Sequence, residues 1–456
     1  MDTISGFIDK INGFVTGPFL LIPLLLGVGV FLTIGLRFIP FRKLPHALAA
    51  MWRGRRHDPK HEGEITPFRA LMTSLAATVG TGNIVGVATA IVLGGPGAIF
   101  WMWITALFGM ATKFCEATLA VKYREVTPDG KFVGGPMYYI KNGLGANWKW
   151  LATLFAVFGM VASFGIGNMV QTNSITGNVV SFSGGFLSPI MVAAILLVLG
   201  GMVMVGGVKR IGYVAGMLVP IMAVFYVLCG SVILIIHADK IPAAFSLIFT
   251  SAFNGHAAVG GFAGSTLAMA IRFGVARGLF SNEAGLGSAP IAHAAAIVKN
   301  PVKQGLLGMI DPFLDTIIVC SISALIILVS GEWINGDYNN AATLTTLAFN
   351  SVTNGSFGSW LVTISLTLFA FSTVLGWCVY GERCAIYLFG HKAAFIFRVI
   401  FTLAIPVGAL SKLTVVWALS DLFNALMAIP NLIALLLLSP IVFKMARDFF
   451  NNPDAE

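Results

Sequence analysis

Val79-Gly80-Thr81-Gly82-Asn83 interrupts an apolar run spanning residues 68–93. The run is long enough to cross a bilayer, which takes about 20 apolar residues. Gly80, Thr81 and Gly82 are three poor helix formers in succession, placed where a membrane helix can least spare its backbone hydrogen bonds. A helix broken there exposes N–H groups at one half-helix end and carbonyls at the other. The positive end suits a carboxylate and the bare carbonyls suit a small cation. Glycine lets the chain leave helical geometry and keeps side chains away from a small ligand. Gly82 and Gly86 alone could equally mark close helix packing; the whole run Gly80–Asn83 reads as a binding site, with Thr81 and Asn83 adding side-chain oxygens.

The chain around this motif has 456 residues, 57% hydrophobic and 10% charged, with a mean hydropathy of +0.88 and 36 Phe against 28 Lys plus Arg. Globular domains run near 25% charged, so the composition excludes a cytosolic enzyme, a nucleic-acid module and a disordered tail. The 51 glycines and 19 prolines exclude a bundle of uninterrupted helices. Cys115, Cys229, Cys320, Cys378 and Cys384 lie in apolar stretches and read as small hydrophobes rather than disulfides.

The apolar runs are continuous, so they are helices. They fall near 17–39, 68–93, 97–121, 148–178, 188–206, 213–237, 257–280, 304–330, 357–389, 393–411 and 414–442, predicting eleven spans. The stretches 241–254 and 341–356 are too short to span and read as helices lying on one face. Acidic Asp2 and Asp9 beside Lys10 argue against a signal peptide. With the basic segment after the first span placed in the cytoplasm, 24 basic residues fall inside and three (Lys10, Lys240, Lys412) outside. That asymmetry predicts an outer N-terminus and a cytoplasmic C-terminus. The net charge of +9 is then chiefly a topology signal, and Arg53–His57 also meets anionic lipid.

Without the first span, ten remain, and five plus five inverts the second half relative to the first. The expected units are 1–66, an extra helix with its basic loop; 67–237, the first repeat; 238–256, a linker; 257–443, the second repeat; and 444–456, a tail. Arg272-Phe273-Gly274, after Gly260, Gly261 and Gly264, is the expected break in the second half, and the long runs 148–178 and 357–389 each come third in their half.

Several blocks then resemble the alanine or glycine:cation symporter family. They are Thr78-Val-Gly-Thr-Gly-Asn-Ile-Val-Gly-Val-Ala, Gly94-Gly-Pro-Gly-Ala-Ile-Phe-Trp-Met-Trp and Gly134-Gly-Pro-Met-Tyr-Tyr. Gly165-Ile-Gly-Asn-Met-Val-Gln-Thr-Asn and Gly278-Leu-Phe-Ser-Asn-Glu-Ala-Gly-Leu-Gly-Ser-Ala-Pro-Ile-Ala follow, then Ser372-Thr-Val-Leu-Gly-Trp and Ala428-Ile-Pro-Asn-Leu. The resemblance implies an all-α membrane protein of the leucine-transporter type, with one helix ahead of a 5+5 inverted repeat. It also implies uptake of alanine or glycine with sodium, or sometimes a proton. Residue by residue, it puts the substrate carboxylate on the backbone of Thr81 and Gly82, within Gly80–Asn83. It brings Gln171 to the substrate, has Phe273 and Gly274 cap the pocket, and holds sodium between the carbonyls of Ala76 and Val79 and the hydroxyls of Ser372 and Thr373.

Taken by position alone, Gln171 sits about 23 residues beyond Trp148, where polar side chains meet headgroups cheaply. Ser372 and Thr373 could simply bond the preceding turn. Buried carboxylates invite functional readings: Asp311 and Asp315, one turn apart, could be a proton site, a sodium site or half of a gating pair. Asp421 and Glu382 belong to the same set. Glu116 and Lys113, three residues apart, read as a structural pair. Ser281-Asn282-Glu283 reads as a gate or a half-helix terminus. No phosphate-binding loop, metal-ligand spacing or soluble domain supports an enzyme. The seven scattered histidines read as solvated or interfacial. The expected partners are a small amino acid, sodium and the bilayer, with no resident cofactor, no nucleic acid and no required oligomer. The rival functions are a proton-coupled symporter on the same fold and a passive channel.

Overall fold

The computed structural model describes residues 20–55, 62–254, 267–334, 341–353, 355–411 and 414–452. The N-terminal 19 residues, Gly260, Gly261, Gly264, His57 and Lys412 lie outside them, as does the start of the expected span 257–280. Among the described residues the fold is helical, apart from one small hairpin. The first stretch carries α1 (Leu21–Gly35), α2 (Leu44–Arg53), α3 (Pro67–Thr78), α4 (Val85–Gly94) and α5 (Ala98–Lys122). A hairpin of β1 (Glu125–Val126) and β2 (Phe132–Val133) leads to α6 (Ala146–Phe182), α7 (Pro189–Met204), α8 (Gly207–Ile236) and α9 (Ile241–Asn254). Then come α10 (Leu267–Asn282), α11 (Ala289–His293), α12 (Pro301–Ser330), α13 (Ala341–Thr353), α14 (Phe357–Phe389), α15 (Ala393–Leu410) and α16 (Thr414–Asn451).

Seven of these helices are long and apolar enough to cross a membrane: α5, α6, α8, α12, α14, α15 and most of α16. α1, α4 and α7 are apolar but shorter. Both stretches expected to lie on one face, α9 and α13, are helices of 14 and 13 residues. At 38 residues, α16 runs nine positions past the apolar stretch that announced it, ending at Asn451 rather than residue 442. Its last turns are charged and aromatic, so hydropathy stops before the helix does.

The break at Gly80 is present. α3 begins with Thr66 as N-cap, its hydroxyl accepting from the Arg69 N–H at 3.2 Å, and with Pro67 in the first turn, where no N–H is needed. It stops at Thr78, Val79 and Gly80 leave helical geometry, Thr81–Asn83 form one tight turn, and α4 resumes at Val85. Gly95, at φ 69°, ends α4 in a conformation that β-carbons disfavour.

The expected second break is not at Arg272–Gly274. α10 is continuous from Leu267 to Asn282, and Gly274 serves close packing: a β-carbon there would meet the backbone of Ala98 and the side chain of Trp101 on α5. The chain leaves the helix ten residues later, between Glu283 and Ser288, where Glu283, Gly285 and Gly287 have φ of 53°, 92° and 81°. Gly285-Leu286-Gly287 repeats the small-large-small pattern of Gly80-Thr81-Gly82. A single glycine inside a helix buys close approach; two separated by one residue let the backbone turn.

α14 is central, packing against α3, α6, α8, α13 and α15, while α5 packs against α10 and α12. Small residues set these approaches. A β-carbon on Gly376 of α14 would lie 2.7 Å from Ala77 Cβ and 2.8 Å from Ala77 N on α3, with no flexible side chain to give way. Gly376→Ala is expected to lower the thermal midpoint in detergent, overpacking costing about 1–3 kcal/mol. Gly177→Ala is the control: nothing lies within 4 Å of its β-carbon on α6, and the midpoint should hold or rise slightly.

Candidate functional site

Four oxygen groups meet where α14 crosses the end of α3. The Ser372 hydroxyl donates to the Ala76 carbonyl at 3.2 Å and the Thr373 hydroxyl lies 3.5 Å from the Val79 carbonyl. Both hydroxyls also reach back to Phe369 O, at 2.8 and 3.1 Å. The two carbonyls are free because α3 ends there, so chain interruption and paired hydroxyls are one device. All four groups are hard, uncharged oxygen ligands, the set an alkali cation prefers. Among the described residues no cluster of three His, Cys, Asp or Glu could hold a transition metal.

Two residues beyond Val79 lies a second feature. The Thr81 N–H points at Gln171 Oε1, 3.4 Å away, and the Thr81 hydroxyl is buried without any hydrogen-bond partner. An orphaned buried hydroxyl costs on the order of 1–3 kcal/mol unless a ligand satisfies it. Gln171 is buried just after a π-helical turn at Gly165–Met169 of α6, and its amide donates to Ile166 O at 3.0 Å. Such bulges re-aim the residues that follow them. Gly80 admits the close approach of Thr373 and Gln171: a β-carbon there would collide with Thr373 Oγ1 and lie 3.5 Å from Gln171 Oε1. Gln171, Thr81, Gly80, Thr373 and Val79 therefore share one small volume.

Asn83 has a different position. Its Oδ1 accepts from Gly80 N at 2.8 Å and its Nδ2 donates to Asp315 Oδ1 at 2.7 Å, so both ends of the amide are committed to shaping the turn. Asp315 also accepts from Ser281 at 2.7 Å and Thr316 at 2.8 Å, linking the first break to the end of α10. Asp311 accepts from Ser74 and Thr78 of α3 and pairs with Lys113 of α5 at 3.2 Å. The expected Lys113–Glu116 pair is thus replaced: Lys113 turns to Asp311 on α12. Glu116 instead accepts from Gly285 N at 3.2 Å and Asn431 Nδ2 at 2.6 Å.

Glu116 and Asn431 hold the second break. Asn431 also donates to Gly285 O at 2.9 Å and bonds Tyr139. Glu283 accepts from Trp377 Nε1 at 2.9 Å and Ser288 at 2.5 Å. Those bonds over-determine the left-handed Glu283, a conformation that is costly for a side chain of this kind. Ser281-Asn282-Glu283 is accordingly a half-helix terminus, as its sequence suggested.

Phe273 and Gly274 do not reach the first break. Phe273 packs near Gly94 and lines a cavity outside it. The aromatic that touches the break is Phe280, whose Cδ1 would lie 3.0 Å from a β-carbon on Gly82. Two turns of intact helix separate Phe273 from Phe280, so the misplaced break carried the aromatic cap with it.

At the end of the bundle carrying the hairpin, Glu64 and Ile65 lie beside Ala295–Ile297 through a parallel bridge. Buried Arg383 of α14 pairs with Glu64 at 2.7 Å, and Arg124 caps the carbonyls of Ala294 and Ala296 at 3.2 and 2.6 Å. Arg277 lies at the other end, sharing a cavity with Leu21 from the first turn of α1 and Asp421 from the third turn of α16. Arg272 lines the same cavity, so these two arginines do not belong with the basic set of the hairpin end, where the sequence had put them.

A multi-pass helical bundle with a cation-type oxygen set and an orphaned hydroxyl at a broken helix defines a membrane transporter rather than an enzyme. The fold resembles the crystal structure of MhsT in complex with L-phenylalanine, with a TM-score of 0.57 at 15% identity, covering 85% of this chain and 99% of that one. The model of the sodium:alanine symporter family matches residues 1–456, and the chain belongs to that family of amino-acid:cation symporters. It is 49% identical over 457 residues to the sodium/alanine symporter AgcS of Methanococcus maripaludis, covering 98% of each chain. It is 40% identical over 439 residues to the probable sodium/glutamine symporter GlnT of Bacillus subtilis, covering 96% of this chain and 89% of that protein.

Proposed function

We propose that this protein imports alanine or glycine with sodium by alternating access, without a resident cofactor. The observation that carries the reading is the meeting of two unlike sites on one broken helix. The Ala76 and Val79 carbonyls face Ser372 and Thr373, and the unpartnered Thr81 hydroxyl lies one residue beyond Gly80. Sodium among the four oxygens leaves positive charge beside the N–H groups of Thr81 and Gly82. A substrate carboxylate docking there gains from that charge, and the gain is reciprocal: each ligand raises the other's affinity. Gln171 orients the substrate, and the absence of a side chain on Gly80 and Gly82 leaves room for a small ligand against the backbone.

In this reading the membrane is crossed eleven times, by the seven long helices together with α1, α7, α10 and the α3–α4 pair. The N-terminus lies outside and the C-terminus inside. Residues 67–237 and 257–443 form the inverted repeats, whose broken members are α3–α4 and α10–α11. One sodium moving down 100 mV releases about 2.3 kcal/mol, and a tenfold sodium gradient adds about 1.4 kcal/mol. Together these sustain roughly a 500-fold amino-acid gradient.

The test is uptake of labelled alanine and glycine into proteoliposomes. Replacing external sodium by choline at fixed pH should abolish it, and undiminished uptake would refute sodium coupling. The competing reading is proton coupling, favoured by Asp315, a buried carboxylate with only neutral hydrogen-bond donors around it. In that case uptake persists in choline and follows an imposed pH gradient. Pocket discrimination of a single methyl is worth only about 1–3 kcal/mol, so alanine and glycine should compete with one another.

A further inference from the structure

α2 leaves its outer face uncovered at the end of the bundle that carries the hairpin. Its inner face, Leu44, Ala47, Leu48 and Met51 at helical spacing, packs on the core against α12 and the start of α3. Trp52 is 65% exposed on the outside, with Arg53 and Arg55 exposed beside it. Phe31, Ile34, Phe38 and Phe41, exposed on α1 and the turn after it, precede this face. Apolar surface followed by Trp and arginines is the order met on passing from acyl chains to headgroups.

Arg37, Arg42, Lys43, Arg53 and Arg55 fall in this stretch, with no Asp or Glu among them. Among the described residues none of the five has a carboxylate within 4.0 Å. Other arginines at this end are engaged: Arg383 with Glu64, Arg398 with Glu382, and Arg124 with backbone carbonyls. Arg55 is also held in place. Its guanidinium lies 3.6 Å from the Trp52 ring centroid and 4.8 Å from that of Phe68. Rings stacked on a guanidinium leave its in-plane N–H edge for a phosphate.

The same corner is fastened to the broken helix. The Phe68 N–H donates to Gly54 O at 3.1 Å, and a β-carbon on Gly54 would lie 3.3 Å from Pro67 Cβ. Pro67 and Phe68 open α3, whose far end stops at the Ala76 and Val79 carbonyls. Neutralising the unpaired cations removes their mutual repulsion beside that first turn.

We propose that Trp52, Arg53 and Arg55 bind the headgroup phosphate of an anionic phospholipid, and that the occupied site steadies the start of α3. A bilayer covers Phe38 and Phe41 as well as supplying the phosphate, which a free anion in water does not. The effect on transport rests on the amino-acid transport reading above; the lipid site itself does not.

The binding test is native mass spectrometry of the full-length protein in detergent, titrated with phosphatidylglycerol or phosphatidylcholine. Phosphatidylglycerol should bind more tightly, and excess inorganic phosphate should not displace it. Each basic residue strengthens association with an anionic surface about fivefold, so Arg53→Gln/Arg55→Gln should weaken binding roughly 25-fold. Arg55→Lys keeps the charge without the planar fork and should lose part of that affinity. Lys209→Gln/Arg210→Gln, exposed at the same end on α8, should bind as the wild type does. Equal binding of both lipids, complete displacement by phosphate, or equal weakening in the two double variants overturns the site. The second measurement is sodium-driven alanine uptake into vesicles of phosphatidylcholine alone or with about one third phosphatidylglycerol. Uptake should be faster with phosphatidylglycerol, and Arg53→Gln/Arg55→Gln should lose that difference. Uptake indifferent to the lipid overturns the link to α3. No alanine or glycine uptake in either lipid refutes the transport reading, and the binding measurement still decides the lipid site.

Discussion

Gly80→Ala is expected to reduce sodium-driven alanine uptake roughly 100-fold, equivalent to about 3 kcal/mol of lost ligand stabilisation. Gly80 has a negative φ, −142°, so the argument rests on space rather than on backbone freedom. A β-carbon there would occupy the position of Thr373 Oγ1. The hydroxyl must rotate away from the Val79 carbonyl, and the same β-carbon approaches Gln171 Oε1. One methyl group therefore disturbs the Thr373 hydroxyl proposed for the cation and the Gln171 amide proposed for the substrate together. Thr373→Val is the companion measurement. It removes the hydroxyl without filling the space at Gly80, so it should raise the sodium concentration needed for half-maximal uptake while saturating sodium restores most of the rate. If Gly80→Ala transports normally, the two sites do not share this volume. If Thr373→Val leaves the sodium dependence unchanged, that hydroxyl is not a ligand.

Lys113→Met is expected to destabilise the folded protein by about 3–5 kcal/mol, because it leaves Asp311 buried and uncompensated. Both side chains are inaccessible to solvent and lie 3.2 Å apart. Asp311 also takes the hydroxyls of Ser74 and Thr78, so the pair fastens α5 and α12 to the half-helix that ends at the Ala76 and Val79 carbonyls. Removing both charges in Lys113→Met/Asp311→Asn should restore much of the thermal midpoint, since a neutral replacement no longer strands a charge. A double variant no better than Lys113→Met would show that the lysine acts through packing alone. A melting curve in detergent, read with uptake, separates the two outcomes.

Site residues near one another in sequence, or tied to a compositional oddity, were readable early. The break at Gly80–Asn83 was visible because helix breakers in an apolar run have few other uses. Ser372 and Thr373 were singled out by the family resemblance, since by position alone they could simply bond the preceding turn, and the structure brings both to the carbonyls of Ala76 and Val79. The second break was misplaced because Gly274 was taken for a breaker when it is a contact surface. Isolated glycines do not distinguish the two uses, whereas Gly285-Leu286-Gly287 carried a usable signal. Lys113 was paired with Glu116 because sequence distance shows only neighbours on the same helix.

The sequence by itself determined the medium, the helical class and the first break. These follow from composition and local backbone preference, which act over a few residues. Its scarcity of charged side chains also raised the expectation that ligands here are held by carbonyls, amides and hydroxyls. The tertiary structure alone decided which buried charges meet, which aromatic covers the break, and that Arg277 faces Asp421 and Asn424 across a cavity. Partners such as Lys113 and Asp311, or Glu116 and Asn431, are separated by 198 and 315 residues. Pairing over such distances is set by how whole helices pack, and small-residue contacts such as Gly376 on Ala77 fix that packing to within a fraction of an ångström.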